Sequence, residues 1–277
     1  MDHFLIVTND GKDTDFQVTH RVKKLLEDAG KTCSICEKDE HKKIIDASVP
    51  ANVECAIVIG GDGSLIEVAR YFWKKDIPIL GINMGTLGYL TEVEVGHLEE
   101  SIEHLVSGNI ILEDRMMLVG ITEDGQKNSA LNDIVMTRKI GLRVIRFNLY
   151  VNGELLNTYE ADGVIIGTPT GSTAYNLSAG GPIVEPTAKL ILITPICSHA
   201  LNTSSIILSP EDEVEIEILE GRTEKEQEVL ISFDGADTIA LKTGDRVKIK
   251  KSSKVTRLVR LNSVSFLEML RRKMKGN

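Results

Sequence analysis

The sequence lacks several features that would place it in common classes of protein. Its 277 residues have no basic excess: 41 Asp and Glu residues outnumber 32 Lys and Arg, and the formal net charge is −9. Nucleic-acid-binding surfaces usually need a basic stripe to displace counterions, so nucleic acid is not an expected partner. No apolar run approaches the roughly 20 residues of a membrane-spanning helix, so a membrane is not expected either.

Cysteine is scarce, and its spacing gives weak evidence for a site. The four cysteines are Cys33, Cys36, Cys55 and Cys197. The first two have the C-x-x-C spacing of a redox pair or of half a zinc site. No second pair completes a tetrahedral zinc site, and the first pair falls inside an expected strand rather than at a helix start. We interpret all four as buried or half-exposed thiols, and we expect no metal ligands among the side chains.

The N-terminus lacks the pattern of an export signal. Its first ten residues contain an acidic Asp2 and four consecutive apolar residues. A signal peptide has a positive start and a longer apolar stretch, so this segment is interpreted as the opening of a buried strand. The expected location is the cytoplasm.

The first hundred residues alternate short apolar runs with segments of helical periodicity. Fully apolar runs are typical of parallel strands that are covered on both faces. This alternation predicts an N-terminal doubly wound α/β domain over residues 1–110. The predicted strands are 4–7, 55–59 and 77–82. Apolar residues at helical spacing over 18–26, 65–72 and 98–106 predict three helices, of which the first ends at Ala29-Gly30 and the third at Gly108.

From residue 111 the pattern changes to alternating polar and apolar residues separated by turns. Asn152-Gly153 between two apolar segments is a strong hairpin signal. We predict a C-terminal β-rich, sandwich-like domain over 111–262, and a helix within 263–277 that returns to the first domain. The predicted half-exposed strands are 142–151, 212–219, 228–233 and 246–250.

The segment Gly60-Gly61-Asp62-Gly63-Ser64 follows a predicted strand and opens a predicted helix. Glycines there let backbone N–H groups approach a ligand, and the helix directs its positive end at the same place. This is the pattern of a phosphate-binding turn. Asp62 would repel a phosphate unless it binds Mg²⁺ or accepts a proton from a hydroxyl, so the segment favours phosphoryl transfer. The alternative is a structural turn in which Asp62 caps the helix.

Two further polar segments accompany this turn. Asn83-Met84-Gly85-Thr86-Leu87-Gly88-Tyr89-Leu90 follows the next predicted strand, so it should lie near the first turn, because the carboxyl ends of parallel strands share an edge. It could also be a plain connection. Asn132-Asp133 stands among apolar residues, where an amide can read an adenine edge and a carboxylate can accept from ribose hydroxyls. An Asx turn is the alternative.

The longest polar segment spans residues 161–182 and is rich in glycine and hydroxyl groups. It offers backbone and side-chain hydrogen bonds at close range, and Tyr175 offers a face for stacking on a base. A purely structural glycine-rich loop explains so many small and hydroxylated residues less well.

Taken together and in this order, the four segments resemble the NAD kinase family, which phosphorylates the 2′-hydroxyl of the adenosine ribose of NAD to give NADP. Gly-Gly-Asp-Gly alone is also similar to lipid kinases and phosphofructokinases. Thr-Pro-Thr-Gly-Ser-Thr-Ala-Tyr at 168–175 is far more specific, and further matches continue at 180–184, 194–201, 234–235 and 244–245.

The resemblance implies a subunit of two domains with NAD in the crevice between them. It also implies a homo-oligomer, a tetramer or a dimer, in which a neighbouring subunit helps to complete the site. NAD and a phosphoryl donor would be the substrates. The donor would be ATP, another nucleotide or polyphosphate, and it would carry a divalent metal, Mg²⁺.

Residue by residue, the resemblance assigns Asp62 as the catalytic base, with Gly63 beside it and Gly60, Gly61 and Ser64 at the donor phosphates. Asn132 would contact the adenine and Asp133 the ribose on the nicotinamide side. Asp162 would face the nicotinamide end, and Arg143 would reach a phosphate. The residues that would line the adenosine pocket are Thr173, Ala174, Tyr175, Asn176, Leu177 and Ser178.

The chain departs from the family pattern at three places. Ser64 stands where threonine is usual, which keeps the hydroxyl. Ser204-Ser205 stands where Arg-Pro is usual, and Ala236 stands where many members have glutamine, so no side-chain contact to a ligand carries over there.

Two other functions remain open at this point: a lipid kinase of the diacylglycerol type and a non-catalytic NAD sensor on the same fold. The aromatic content of 4% and the acidic balance make a membrane-facing lipid site less expected. A sensor would not need the carboxylate of Asp62.

Overall fold

A computed structural model of the chain describes residues 1–85, 88–139, 144–199, 204–222, 225–261 and 264–275. The chain divides into two compact units: unit 1 comprises Met1–Asp114 and Thr256–Asn277, and unit 2 comprises Arg115–Val255. Unit 1 is α/β and unit 2 is β-rich, so the predicted fold class is confirmed. The domain bounds expected from the sequence stay predictions. In the described residues no helix is both long enough and apolar enough to span a membrane.

Unit 1 is built on a parallel sheet with the strand order β2-β1-β3-β4, and β5 pairs with the end of β4. Its described elements are β1 (His3–Thr8), α1 (Gln17–Asp28), β2 (Thr32–Ile35), β3 (Cys55–Gly60), α2 (Asp62–Phe72), β4 (Ile79–Asn83), β5 (Val93–Glu94) and α3 (Leu98–Ser107).

The core of unit 1 forms because helices cover strands that are apolar throughout. All six residues of β3 are buried, as expected of a central parallel strand. Helix α1 contributes buried Val22 and Leu26, which lie one turn apart on the same face. Helix α3 ends at Gly108, whose φ of 77° is left-handed and suits a glycine after a helix. Strands β3 and β4 pair up to their last residues, so Gly60 and Asn83 lie side by side.

Unit 2 is a sandwich of two antiparallel sheets. Its described elements are β6 (Ile111–Thr122, which starts in unit 1), β7 (Lys127–Ala130), β8 (Asp133–Arg138), β9 (Ile145–Val151), β10 (Glu154–Ala161), β11 (Gly163–Gly167), α4 (Tyr175–Ser178), β12 (Ile191–Ile196), β13 (Ile206–Leu208), β14 (Val214–Ile218), β15 (Glu228–Phe233), β16 (Asp237–Lys242) and β17 (Arg246–Arg260, which ends in unit 1).

One sheet of the sandwich has the order β13-β12-β11-β8-β15-β16, and the other contains β10-β9-β14-β17. Side chains from both sheets share one core, in which Ile166 and Ile231 of the first sheet accompany Phe147 and Ile216 of the second. Asn152 and Gly153 have φ values of 52° and 82° and form the two-residue turn between β9 and β10. This is the geometry that Asn-Gly favours in hairpins, so the predicted turn is confirmed.

The C-terminal helix α5 (Phe266–Met274) belongs to unit 1, as predicted. Ser265 caps it, because its side chain accepts a hydrogen bond from the backbone of Glu268. The ring of Phe266 lies 6.5 Å from that of Tyr89, and Lys273 lies over the same tyrosine ring. The helix therefore packs on the loop that follows β4.

One strand prediction was too short, and strands such as β11 were not predicted. Strand β17 extends to Arg260, ten residues beyond the predicted end at 250. Its alternation continues only in part, because the strand leaves the two-layered sandwich and enters unit 1. The first part of the glycine-rich segment is strand β11, all of whose residues are buried.

The first prediction concerns the core of unit 2. Phe147 is fully buried, and its ring stacks on Tyr159 with centroids 5.5 Å apart. Phe147→Ala should lower the free energy of unfolding by about 3–5 kcal/mol, because it removes buried apolar area and leaves a cavity. Denaturant unfolding measures this. Ile207→Ala, at a 55% exposed position of β13, is the control and should cost less than about 0.5 kcal/mol. Equal losses would contradict the assigned core.

Candidate active site

The turn after β3 lies in unit 1, as the sequence predicts, and leads directly into α2. Gly61 is extended at the N-cap, and Asp62 is the first helical residue. A Cβ on Gly60 would lie 2.6 Å from Ser64 Oγ, and one on Gly61 would lie 2.8 Å from Lys12 Nζ. Gly60 therefore needs to be glycine, whereas at Gly61 only the flexible side chain of Lys12 would have to move. Among the described residues the first N–H groups of α2 stay open to an anion. Nothing lies within 4 Å of a Cβ placed on Gly63.

The loop after β1 supports this turn and adds a cation that the sequence analysis missed. Asn9 Nδ2 donates to Ser64 Oγ at 2.8 Å, and the backbone N–H of Asn9 donates to Ile59 O. The N–H of Lys12 donates in turn to Asn9 O. The Lys12 ammonium group lies beside Gly61 and 3.9 Å from a Cβ placed on Gly85. A signal existed: β1 and β3 are adjacent parallel strands, so the loops that follow them share an edge.

The carboxylate of Asp62 is held by the loop that follows β4. Oδ2 accepts a hydrogen bond from Tyr89 N at 2.7 Å. Oδ1 accepts from Leu90 N and Thr91 N, both at 3.1 Å, and from Thr91 Oγ1 at 3.3 Å. Gly88 makes room, because a Cβ there would lie 1.9 Å from Oδ1. Burial and the nearby charge of Asp62 raise the pKa of the Tyr89 phenol. Among the described residues, four donors thus orient the carboxylate, and three of them bind Oδ1.

In unit 2, Asn132 and Asp133 stand where β8 begins and touch the glycine-rich segment. Thr168 binds two consecutive carbonyl groups at this corner of the backbone: its N–H donates to Asn132 O at 2.8 Å and its Oγ1 donates to Leu131 O at 2.6 Å. A Cβ on Gly171 would lie 2.2 Å from Asn132 O. The structure therefore brings two of the predicted polar segments together, Asn132-Asp133 and the glycine-rich segment 161–182.

The two side chains at this corner have different environments. The Asn132 side chain is half-buried, and it makes no hydrogen bond to any other described residue. Asp133 is 5% exposed, and burial followed by the charge of Asp234 raises the pKa of its carboxyl to about 7. An amide with free donors and an acceptor thus lies next to a carboxyl that ionises near neutral pH.

The rest of the glycine-rich segment forms a 3₁₀ turn over Thr170–Thr173 and the short helix α4. Tyr175 and Leu177 are 44% and 41% exposed, Ser178 is exposed, and Thr173 and Ala174 are half-buried. These side chains can meet a ligand.

Asn176 differs from these neighbours, because its side chain is fully buried. Its Nδ2 donates to Ser172 O and Pro182 O, and its Oδ1 accepts from Thr194 Oγ1. The side chain bonds its own loop, so a ligand contact from this residue would use the backbone.

The remaining predicted site residues fall in two situations. Asp162 lies at the start of β11, and its carboxylate pairs with the guanidinium of Arg138 on β8, a residue that the sequence analysis did not single out. Arg143 lies outside the described residues.

The second prediction concerns the close approach at Gly171. Gly171→Ala should lower the free energy of unfolding by about 2 kcal/mol or more, because the added methyl group meets backbone atoms of Asn132 that cannot turn aside. Thermal or denaturant unfolding measures the change. Gly96→Ala is the control, since nothing lies within 4 Å of a Cβ at that position. An unchanged stability of Gly171→Ala would contradict the described packing of the loop on residue 132.

Family models match most of the chain. Residues 4–110 match the model of the ATP-NAD kinase N-terminal domain, and residues 131–261 match that of the ATP-NAD kinase C-terminal domain. The chain is 44% identical to an NAD kinase of Lachnospira eligens, over 99% of this chain and 100% of that protein. It is 43% identical to an NAD kinase of Agathobacter rectalis, over 100% and 99% of the two chains.

Solved structures of the same kind share the fold. The crystal structure of yeast NADH kinase complexed with NADH has a TM-score of 0.86 and 22% identity, over 100% of this chain and 88% of that one. An NAD kinase from Archaeoglobus fulgidus in complex with ATP has a TM-score of 0.82 and 21% identity, over 99% and 100%. The family models and the curated relatives agree with the motifs on which the resemblance was recognised, and the chain belongs to the NAD kinase family.

Proposed function

We propose that the chain transfers the terminal phosphoryl group of ATP to the 2′-hydroxyl of the adenosine ribose of NAD, giving NADP and ADP. The observation that carries this proposal is the carboxylate of Asp62, the first residue of α2, which the backbone N–H groups of residues 89–91 hold in place, while the ammonium group of Lys12 lies beside the preceding Gly61. Full-length relatives that are NAD kinases support the same reaction. The lipid-kinase and sensor alternatives are not favoured, because those relatives match the whole chain.

Asp62 would act as the general base. Its Oδ2 accepts one hydrogen bond from the described residues and keeps a lone pair for the proton of the 2′-hydroxyl. The ribose oxygen then bonds to the terminal phosphorus while the bond from that phosphorus to the leaving ADP oxygen breaks. General-base assistance is typically worth 10²–10⁴ in rate, and positioning supplies much of the rest.

The donor phosphates would bind the Gly60–Ser64 turn. The free N–H groups of α2 and its positive end favour an anion, and Lys12 adds a full positive charge. Mg²⁺ would enter as a complex with the donor and take its ligands from phosphate oxygens and water. Because backbone groups make most of this site, another nucleotide or polyphosphate would also fit as donor.

Unit 2 would recognise NAD. The amide of Asn132 would read the adenine edge, and Asp133 would accept from the ribose on the nicotinamide side. Asp162, held by Arg138, would lie at the nicotinamide end, and Arg143 would meet a phosphate. The adenosine would contact the exposed or half-buried stretch that consists of Thr173, Ala174, Tyr175, Leu177 and Ser178, together with the backbone of Asn176.

A homo-oligomer, a tetramer or a dimer, is proposed as the working assembly, in the cytoplasm. Support for association comes from β10, the last strand of its sheet, where Leu155 and Leu156 are 51% and 38% exposed. Exposed apolar side chains on an edge strand favour contact with another chain.

The third prediction tests the base. Asp62→Asn should lower kcat at least about a hundredfold while the affinity for NAD stays within a few-fold, because an amide cannot accept the hydroxyl proton. Initial rates of NADP formation and NAD titrations measure the two quantities. Asp28→Asn removes the same charge from an exposed position of α1 and serves as the control. A kcat of Asp62→Asn near that of the wild type would remove Asp62 from this role.

The fourth prediction tests the donor site. Lys12→Ala should raise the KM for ATP about tenfold or more, because it deletes a charge-assisted contact to phosphate, and it should leave the KM for NAD unchanged. Steady-state kinetics with each substrate varied in turn separates the two effects. Lys24→Ala, on the exposed part of α1, is the matched control. If the two variants show the same KM for ATP, Lys12 does not bind the donor.

A further inference from the structure

The half-buried Asp234 uses its carboxylate to bind the backbone that carries two of the proposed NAD contacts, Asn132 and Asp133. Its Oδ1 accepts from Asn132 N at 2.8 Å and from Asp133 N at 3.1 Å, and its Oδ2 accepts from Leu131 N at 2.8 Å. The N–H of Asp234 donates in return to Asp133 O at 3.0 Å. The Asp234 side chain therefore accepts hydrogen bonds from the backbone N–H groups of three consecutive residues, which lie about one hundred positions earlier in the sequence.

The same corner is held from its other side. The carbonyl groups of Leu131 and Asn132 accept from Thr168, and Gly171 packs against the Asn132 carbonyl. With its N–H groups bound to Asp234 and its carbonyl groups bound to Thr168, the backbone has little freedom to rotate. The directions in which the side chains of Asn132 and Asp133 leave it are fixed accordingly.

Asp234 also acts on Asp133 through its charge. Across its strand pairs Asp133 faces Gly167 of β11, which has no side chain, and the turn after β15, which carries Asp234. Burial is the larger cause of the raised pKa of Asp133, about 7, and the negative charge of Asp234 is the second. Removing that charge would lower the pKa of Asp133.

We propose that Asp234 is a positioning residue for NAD, which orients Asn132 and Asp133 through their backbone amides. This inference rests on the proposed function only in taking NAD as the ligand. Asp234 itself does not need to touch NAD.

The test is Asp234→Asn. Asparagine tolerates the left-handed backbone of this position, where φ is 51°, so the turn should persist. The side-chain amide of the new asparagine keeps one acceptor oxygen, but its NH₂ group is a donor and cannot bind the backbone N–H groups of residues 131–133, which need an acceptor. We expect the Kd for NAD, measured by calorimetry, to rise about tenfold or more. The KM for ATP should stay within about twofold.

The pH profile separates positioning from a general loss of structure. In the wild type NAD should bind more tightly as the pH rises through about 7, because the ionised Asp133 accepts from ribose hydroxyls. In Asp234→Asn the residual affinity should show the same transition at lower pH. Asp133→Asn should lose the transition altogether, which provides the second variant if Asp234→Asn does not fold.

Asp245→Asn is the matched control, since Asp245 also accepts a backbone hydrogen bond in a turn of unit 2, from Lys242 N. An unchanged Kd in Asp234→Asn, an unshifted transition, or a transition that survives in Asp133→Asn would overturn the proposal. Formation of NADP by the wild type is measured separately. If the proposed function is wrong, that assay fails, whereas the Kd values for NAD test only the role of Asp234.

Discussion

A carboxylate that is held by consecutive backbone N–H groups is the interaction on which the candidate site residues of each unit depend. In unit 1 Asp62 is held by residues 89–91, and in unit 2 Asp234 holds residues 131–133. Hydrogen bonds to an ionised group are stronger than neutral ones, and backbone donors cannot swing away as side chains can. In each unit this interaction ties together segments that are distant in the sequence.

The two carboxylates serve opposite purposes. Asp62 is the proposed reactive group. The loop after β4 orients it, and the described residues of that loop leave a lone pair of Oδ2 unused. Asp234 is a fixed anchor, and the proposed contacts to NAD are made by the residues that it holds, Asn132 and Asp133. Both depend on glycines that permit close approach, Gly88 beside Asp62 and Gly171 beside Asn132. The surrounding cores supply the rigidity: a parallel sheet ends in register at Gly60 and Asn83, and a sandwich fixes the ends of β8 and β11.

Much of the fold could be predicted because local patterns agree with the final packing. Buried strands such as β3 appear as unbroken apolar runs, and the dipeptide Asn152-Gly153 predicts the turn between β9 and β10. Strand β11 was harder to recognise, because Gly163 and Gly167 bracket it within a segment whose composition suggests a loop. The end of β17 was missed because its environment changes from one unit to the other, and with it the alternation.

The site was predictable in its residue types but not in its partners. Asp62 was identified by its place after a buried strand, and Asn132 by an adjacent pair of polar residues among apolar ones. No local signal shows that Tyr89 N reaches Asp62, that Arg138 pairs with Asp162 or that Lys12 lies beside Gly61. These contacts join segments through the register of the sheets. For Asn176 the position in the motif suggested a ligand contact. In the structure its side chain instead forms hydrogen bonds with Thr194 and with two backbone carbonyl groups.

The most direct measurement is the position of the phosphate in the product. The protein would be incubated with NAD, ATP and Mg²⁺, and the product would be examined by phosphorus NMR and mass spectrometry. The account predicts one new phosphomonoester, on the 2′-oxygen of the adenosine ribose, with one ADP released for each. No phosphorylated dinucleotide, or a phosphate on any other hydroxyl, would contradict it.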